Sequence, residues 1–174
     1  MTENVKEMTI SNNPRLTEIS FKQFGNLQML SLENNKIGDF NLKYLLTIKN
    51  LNLSKNNITC LGAQILSDFQ GTSLLLHWNK IRGKGAISLF KSYKKNKILK
   101  ELDLSFNSIA SIDQLISSTK KLNEETGLKV SVSIAEIPKS IYKLGKFLSG
   151  NKTLEHLDLS QNQILDKNSI IWLQ

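Results

Sequence analysis

A single cysteine, Cys60, occurs in 174 residues. An internal disulfide is therefore excluded, and with it the class of small secreted domains held by cysteine pairs. Histidine is nearly as scarce, at His77 and His156. No paired carboxylates, metal-ligand spacing or phosphate-cradling glycine loop accompany them, and Arg82, Gly83, Lys84 before Gly85 lack the order of a nucleotide-binding loop. The chain is thus not expected to be an enzyme or to hold a metal or cofactor. No apolar run approaches the roughly 20 residues of a membrane helix. The opening MTENVKEMTI has no basic segment followed by an apolar core. The expected setting is the reducing cytoplasm, away from membranes. Arginine stands only at Arg15 and Arg82 although the net charge is +8, and no aromatics interleave the lysines, so nucleic acid is not an expected partner. With 2 prolines, 9 glycines and no low-complexity run, no linker divides the chain.

What the chain does contain is a repeated phrase: apolar, two of any kind, apolar, any, apolar, two of any kind, asparagine. Clear copies are Leu27 to Asn35 (LQMLSLENN), Ile48 to Asn56 (IKNLNLSKN), Leu99 to Asn107 (LKELDLSFN) and Leu154 to Asn162 (LEHLDLSQN). Looser ones run from Val5 to Asn13 and from Gly71 to Asn79. The interval of 55 residues between Asn107 and Asn162 is two periods long, and its midpoint holds a degraded copy, Gly127 to Ala135 (GLKVSVSIA). Seven repeats are expected on that count. Alternation of apolar residues makes each phrase a short strand with one buried face. Leu30 with Leu32, or Leu102 with Leu104, point inward, while Ser31 or Asp103 points out. The asparagine comes where the chain turns, and its carboxamide can satisfy backbone groups left unpaired there.

The asparagine spacing lengthens along the chain, from 22, 21 and 23 residues to 28, 28 and 27 when Ala135 is counted as a closing position. Early repeats have room for a short return segment, and later ones for a helix of about three turns. Helical stripes fall at Ala86, Leu89, Phe90, Tyr93; at Ile112, Leu115, Ile116, Thr119; and at Ile137, Ile141, Leu144, Leu148.

These phrases resemble the leucine-rich repeat family along the whole chain. Gly62 and Gly85, six residues after an asparagine, and Ile58 and Ile81, two residues after it, resemble the ribonuclease-inhibitor-like class; the first two repeats lack the glycine and are nearer the short classes. The resemblance implies an α/β fold: one curved solenoid over residues 1–174, with a parallel sheet on the concave face and helices on the convex face. Terminal repeats need a polar cap, yet the first phrase begins near Met1 and the chain stops at Ile170, Ile171, Trp172, Leu173. Part of a longer protein, or an end docked on a partner, is expected.

Stacking the repeats assigns the surface. Leu75, Trp78, Phe106 and Ile134 are expected to form a contiguous apolar patch on the concave face, flanked by His77 and Asp103, as a partner-binding site. For Trp78 and Phe106 a second reading stands, in which the residue before the asparagine packs within the turn. Cys60 is expected as a buried inert thiol, and both histidines as surface or edge residues. Lys80, Arg82, Lys84, Lys91, Lys94, Lys95 and Lys97 crowd one repeat without an acidic residue and are expected to form a basic convex ridge. Lys139, Lys143 and Lys146, with Lys120 and Lys121, are expected to extend it.

The resemblance also covers enzyme inhibitors, Ran GTPase-activating proteins, innate-immune receptors and structural proteins of cilia and the cytoskeleton. LLLHWNKIRGKGAISLF and LKELDLSFNSI look most like the last group, and the Lys, Asn and Ile content matches the coding of an AT-rich protist genome. The leading expectation is a non-enzymatic scaffold in a large intracellular hetero-complex, such as a ciliary axoneme, that binds a protein on the concave face and an acidic surface such as tubulin on the ridge. The alternative is a GTPase-regulating module resembling the Ran activator.

Overall fold

A computed structural model describes residues 5–17, 20–24, 27–109 and 139–162. Six three-residue strands, β1 (Glu7–Thr9), β2 (Met29–Ser31), β3 (Asn50–Asn52), β4 (Ser73–Leu75), β5 (Glu101–Asp103) and β6 (His156–Asp158), pair in parallel in chain order. The central leucines Leu30, Leu51, Leu74, Leu102 and Leu157 stand in register. The returning segments lengthen as the spacing requires. They are a 3-10 turn at Phe21–Gln23, another at Leu42–Leu45, α1 (Cys60–Leu66), α2 (Gly83–Tyr93) and α3 (Lys139–Gly150).

The core is a single stack between sheet and returning segments. Leu30, Leu32, Leu51, Leu53, Leu74, Leu76, Leu102 and Leu104 are fully or almost fully buried, as are Leu42, Leu45, Leu66, Leu89, Phe90 and Tyr93 from the other layer. The loosest copy has a structural reason. Phe69 is buried against the backbone of the preceding repeat, and a Cβ at Gly71 would overlap the carbonyl oxygens of Ile48 and Lys49 as well as that ring. The phenylalanine fills the space a leucine takes elsewhere, and only glycine fits beside it.

Rows of buried asparagines tie the repeats together. The Asn56 Nδ2 group donates to the carbonyls of Leu53 (3.1 Å) and Ser54 (3.0 Å) in its own turn and to Leu32 (2.9 Å) in the turn before. Its Oδ1 accepts from the Ile37 amide at 3.0 Å. Asn35, Asn79, Asn107 and Asn162 make the same bridge between successive turns. Each carboxamide therefore serves two repeats rather than its own turn alone.

Between Asn107 and Asn162 the described ladder steps directly from β5 to β6. Leu102 pairs directly with Leu157, and the Asn162 Nδ2 group reaches the Leu104 carbonyl at 2.7 Å. The copy at 127–135 and the stripe at Ile112 to Thr119 lie outside the described residues. In α3 the buried face uses Leu144 and Phe147; Phe147 stacks on Phe90 with centroids 5.5 Å apart, while Leu148 is 45% exposed. The expected stripe through Leu148 is thus turned by one position. Ile137 lies outside the described residues, as does the side chain of Ile141.

Replacing Asn107 by alanine removes the acceptor of the Ile81 amide and donors to Leu76 and Leu104. The expected loss is about 1–3 kcal/mol in a denaturant melt, because buried backbone groups are left unpaired. A loss of a few tenths would show that water replaces the carboxamide.

Candidate interaction surface

The residue before each ladder asparagine makes the sharp turn out of the strand, and it does so with left-handed backbone. Asn12 (φ 65°), Asn34 (57°), Lys55 (54°), Trp78 (52°), Phe106 (51°) and Gln161 (56°) all share this conformation. Asparagine adopts it readily, whereas an aromatic residue there costs about 1–2 kcal/mol. Trp78 and Phe106 carry that cost while remaining 58% and 40% exposed.

The two rings are brought together by the stacking of β4 and β5. They lie nearly parallel, 6° between planes and 5.1 Å between centroids. His77 meets both edge-on, at 6.1 Å from Trp78 and 5.0 Å from Phe106. Its Nδ1 is 2.7 Å from the Ser105 Oγ, which in turn donates to the Asp103 carboxylate at 2.6 Å. The same Asp103 oxygen accepts from the Ser105 amide at 2.8 Å. With the Ser105 proton given to Asp103, the serine oxygen is free to accept from a protonated Nδ1, which leaves Nε2 of a neutral ring as the acceptor. Ser105 in the middle, donating to the carboxylate, is not the order of a nucleophile activated by histidine. The arrangement fixes a ring; it does not deprotonate a hydroxyl.

The sequence therefore places His77, Trp78, Asp103 and Phe106 correctly in one cluster. Leu75 stands opposite Asp103 in the register and is half-buried, so its contribution to the surface is small. Ile134 lies outside the described residues, and the place beside Phe106 that the seven-repeat count assigned to it is taken by the turn of Gln161, since the Phe106 amide donates to the Ser160 carbonyl at 2.9 Å. The apolar column therefore ends at Phe106 among the described strands. Ser105 was not singled out from sequence. The signal was present, since Asn52-Leu53-Ser54, Asp103-Leu104-Ser105 and Asp158-Leu159-Ser160 each close the same side-chain turn onto the serine amide.

Charge is divided between faces. The outward strand positions and the position two residues beyond carry Glu7, Glu33, Glu101, Asp103 and Asp158, with no lysine or arginine. Hydrogen bonding from Lys55 holds the Glu33 carboxyl below its ordinary range, and the Ser160 amide does the same for Asp158. Both are charged at neutral pH. The cations lie elsewhere. Arg82 is the cap residue of α2, Lys84 sits in its first turn and Lys91 in its last, and Lys95 and Lys97 are exposed beyond it. Lys94 is half-buried, its stem lying against Gly150 at the end of α3. Lys80 belongs to the sheet edge rather than to the helical ridge, beside Trp78. Lys146 is exposed on α3, which packs directly on α2. The side chains of Lys139 and Lys143 lie outside the described residues, as do Lys120 and Lys121. The described ion pairs, Lys55–Glu33 and Lys100–Glu155, use none of the cations from Lys80 to Lys97.

Other expected or unexpected features are smaller. Cys60 is half-buried at the start of α1 with its thiol 3.8 Å from the Arg82 carbonyl, not sealed in the core. His156 is exposed at the start of β6. An apolar patch that sequence reasoning missed joins Phe40, 68% exposed, to Leu61, 64% exposed, on the side of the returning segments. Among the described residues no group of three or more His, Cys, Asp or Glu could hold a metal ion, and no helix is long and apolar enough to cross a membrane.

A family model described as a leucine-rich repeat matches residues 95–111 and 150–167. No curated protein matches the chain. Among solved structures, actin-binding site 2 of leiomodin-1 is similar with a TM-score of 0.51 at 19% identity, over 90% of this chain and 71% of that one. An internalin from Listeria monocytogenes is similar with a TM-score of 0.45 at 15% identity, over 98% of this chain and 58% of that one.

Substituting Trp78 by asparagine removes a stacked ring worth about 0.5–1.5 kcal/mol but relieves about 1–2 kcal/mol of left-handed strain. The thermal midpoint is therefore expected to stay within a few degrees of wild type or to rise. A fall of about 6 degrees or more, roughly 2 kcal/mol, would make the ring a packing element of the fold.

Proposed function

The chain is a leucine-rich repeat protein, and from that premise we propose that it is a non-enzymatic protein-binding scaffold whose concave face engages a partner through Trp78, Phe106 and His77, with Leu75 and Asp103 at the margin. The observation that carries this reading is the exposed, mutually stacked aromatic pair held in strained backbone. Strain at exposed aromatics is not required by the fold, since Asn12 and Asn34 make the same turn with a better-suited residue. Large, rigid, exposed rings among polar neighbours are the side chains that dominate interface energies. The neighbouring carboxylates favour a partner whose contacting surface is neutral or basic.

The basic ridge on α2 serves a second, acidic surface of the same assembly. Here too a local rule is broken. Arg82 and Lys84 sit at the helix N-terminus, where the macrodipole disfavours a cation by about 0.3–1 kcal/mol, and no acidic residue offsets them in the first turn. A cytoskeletal assembly, such as an axoneme with its acidic tubulin surfaces, fits both features. Support for that setting comes from the likeness of the repeat phrases to ciliary and cytoskeletal proteins and from a similar solenoid that forms an actin-binding site in leiomodin-1.

Two measurements test the reading. In affinity capture from a cell extract, the combination of Trp78→Asn, Phe106→Ser and Leu75→Asp should release proteins that the wild type retains, with an affinity loss of about 2 kcal/mol or more once one of them is purified. Retention of the same proteins at the same strength would remove the concave face from the interaction. On the ridge, Arg82→Asp should raise stability by about 1 kcal/mol, because an aspartate caps the helix and suits its dipole. The same change should slow association with purified tubulin at low salt. An unaltered rate would leave the ridge as a solvated surface.

A further inference from the structure

Beside the aromatic pair, along the edge of the sheet where the ladder asparagines turn, runs an open groove of about 490 Å³. Among the described residues its walls carry Lys36, Lys55, Trp78 and Lys80 together with asparagine side chains, and no carboxylate. Lys36 and Lys80 each follow a ladder asparagine, in repeats two apart, and both are exposed. Adjacent strands are about 4.8 Å apart, so these two positions stand roughly 10 Å from one another, the reach of about four residues of extended chain. Lys55 stands between them, with its ammonium already held by Glu33 at 2.8 Å. The ladder carboxamides of Asn35, Asn56 and Asn79 are spent on backbone groups, so the charged and aromatic chemistry left in the groove is the ammoniums of Lys36 and Lys80, which have no partner among the described residues, and the indole of Trp78, beside the carboxamides of Asn34 and Asn57.

We propose that this edge groove binds an acidic peptide segment of a partner protein, with carboxylates on Lys36 and Lys80 and an apolar side chain against the indole of Trp78. Two features favour a peptide over single-stranded nucleic acid. A base inserted between Trp78 and Phe106 needs a gap of about twice the ~3.5 Å contact spacing of carbon atoms, and the rings stand 5.1 Å apart. The groove also presents ammoniums rather than the planar guanidiniums that pair with phosphate in two places. The complementarity is confined to the edge. The strand face next to it carries Glu33, Asp103 and Asp158 and repels the same segment, which sets a boundary to where an acidic chain can lie.

The inference deepens the scaffold reading by naming what one partner segment is made of, and it rests on that reading. Fluorescence anisotropy tests it with a short labelled peptide of Asp and Glu around a single Phe, a neutral version of Asn and Gln, and a labelled oligothymidylate of similar length. The acidic peptide should bind saturably and more tightly than either control, and binding should weaken as salt rises from about 50 to 200 mM. The double change Lys36→Glu, Lys80→Glu should weaken it by about tenfold or more; Lys36→Gln with Lys80→Gln is the milder variant should charge reversal disturb folding. Lys95→Glu with Lys97→Glu, on the ridge, should leave it nearly unchanged, as should Leu75→Asp on the concave face. Absence of saturable binding, equal binding of the neutral peptide, tighter binding of the oligonucleotide, or an equal loss in the ridge variant would each overturn the proposal. If Phe106→Ser with Leu75→Asp leaves partner capture intact while the groove variant loses the peptide, the concave reading fails and the groove stands. If Phe106→Ser with Leu75→Asp abolishes capture and the groove variant still binds the peptide, the reverse holds.

Discussion

Everything in this molecule is hung on the bridge that one asparagine side chain makes between two turns. A three-residue strand is too short to hold a sheet together, and six of them in parallel leave a row of turns whose amides and carbonyls point into the core. The carboxamide is the smallest side chain that can donate twice and accept at the same place. Where Asn107 accepts from Ile81 and donates to Leu76 and Leu104, it fixes the distance between two repeats as well as the turn of its own. The leucines then have a fixed spacing to fill, and the pitch of the solenoid follows.

The ladder also decides what the surface looks like. Because the turn before each asparagine must be left-handed, one residue per repeat is forced outward in a row along the sheet edge. That row becomes Asn12, Asn34, Lys55, Trp78, Phe106 and Gln161, and its chemistry is free to vary, since the backbone holds its shape regardless. Polar members there are structural default. Two aromatics in the middle depart from the default at an energetic cost, and the parallel register stacks them on each other. Position is set by the fold and identity by something other than the fold.

Much of this was legible in the residues, because a period-two alternation ending in asparagine admits few other foldings. The inward leucines, the lengthening return segments, the α2 stripe and the meeting of His77, Trp78, Asp103 and Phe106 all follow from register alone. The copy at 127–135 and Ile134 lie outside the described residues, and the differences fall in the return segments. The α3 stripe was misplaced because 144 with 148 and 144 with 147 are equally helical, and only the ring of Phe90 selects Phe147. The Phe40–Leu61 patch was invisible for a related reason, since which residues of a short return segment face outward depends on its neighbour, not on its own pattern.

Departures from local preference converge on one repeat. Gly71 stands where the phrase asks for a leucine, Trp78 takes a backbone conformation that suits asparagine, and Arg82 and Lys84 occupy a helix end that suits carboxylates. The first departure is explained inside the fold by the ring of Phe69. For the other two the compensation is at most partial: the stack with Phe106 offsets part of the strain at Trp78, no acidic residue in the first turn offsets Arg82 and Lys84, and the turns at Asn12 and Asn34 use a residue that costs less. Local cost at exposed positions of an otherwise consistent sequence sets this repeat apart from its neighbours. The Phe40–Leu61 patch is larger in exposure but carries no strain and no charge pattern, so exposure by itself ranks it below the repeat that holds Trp78.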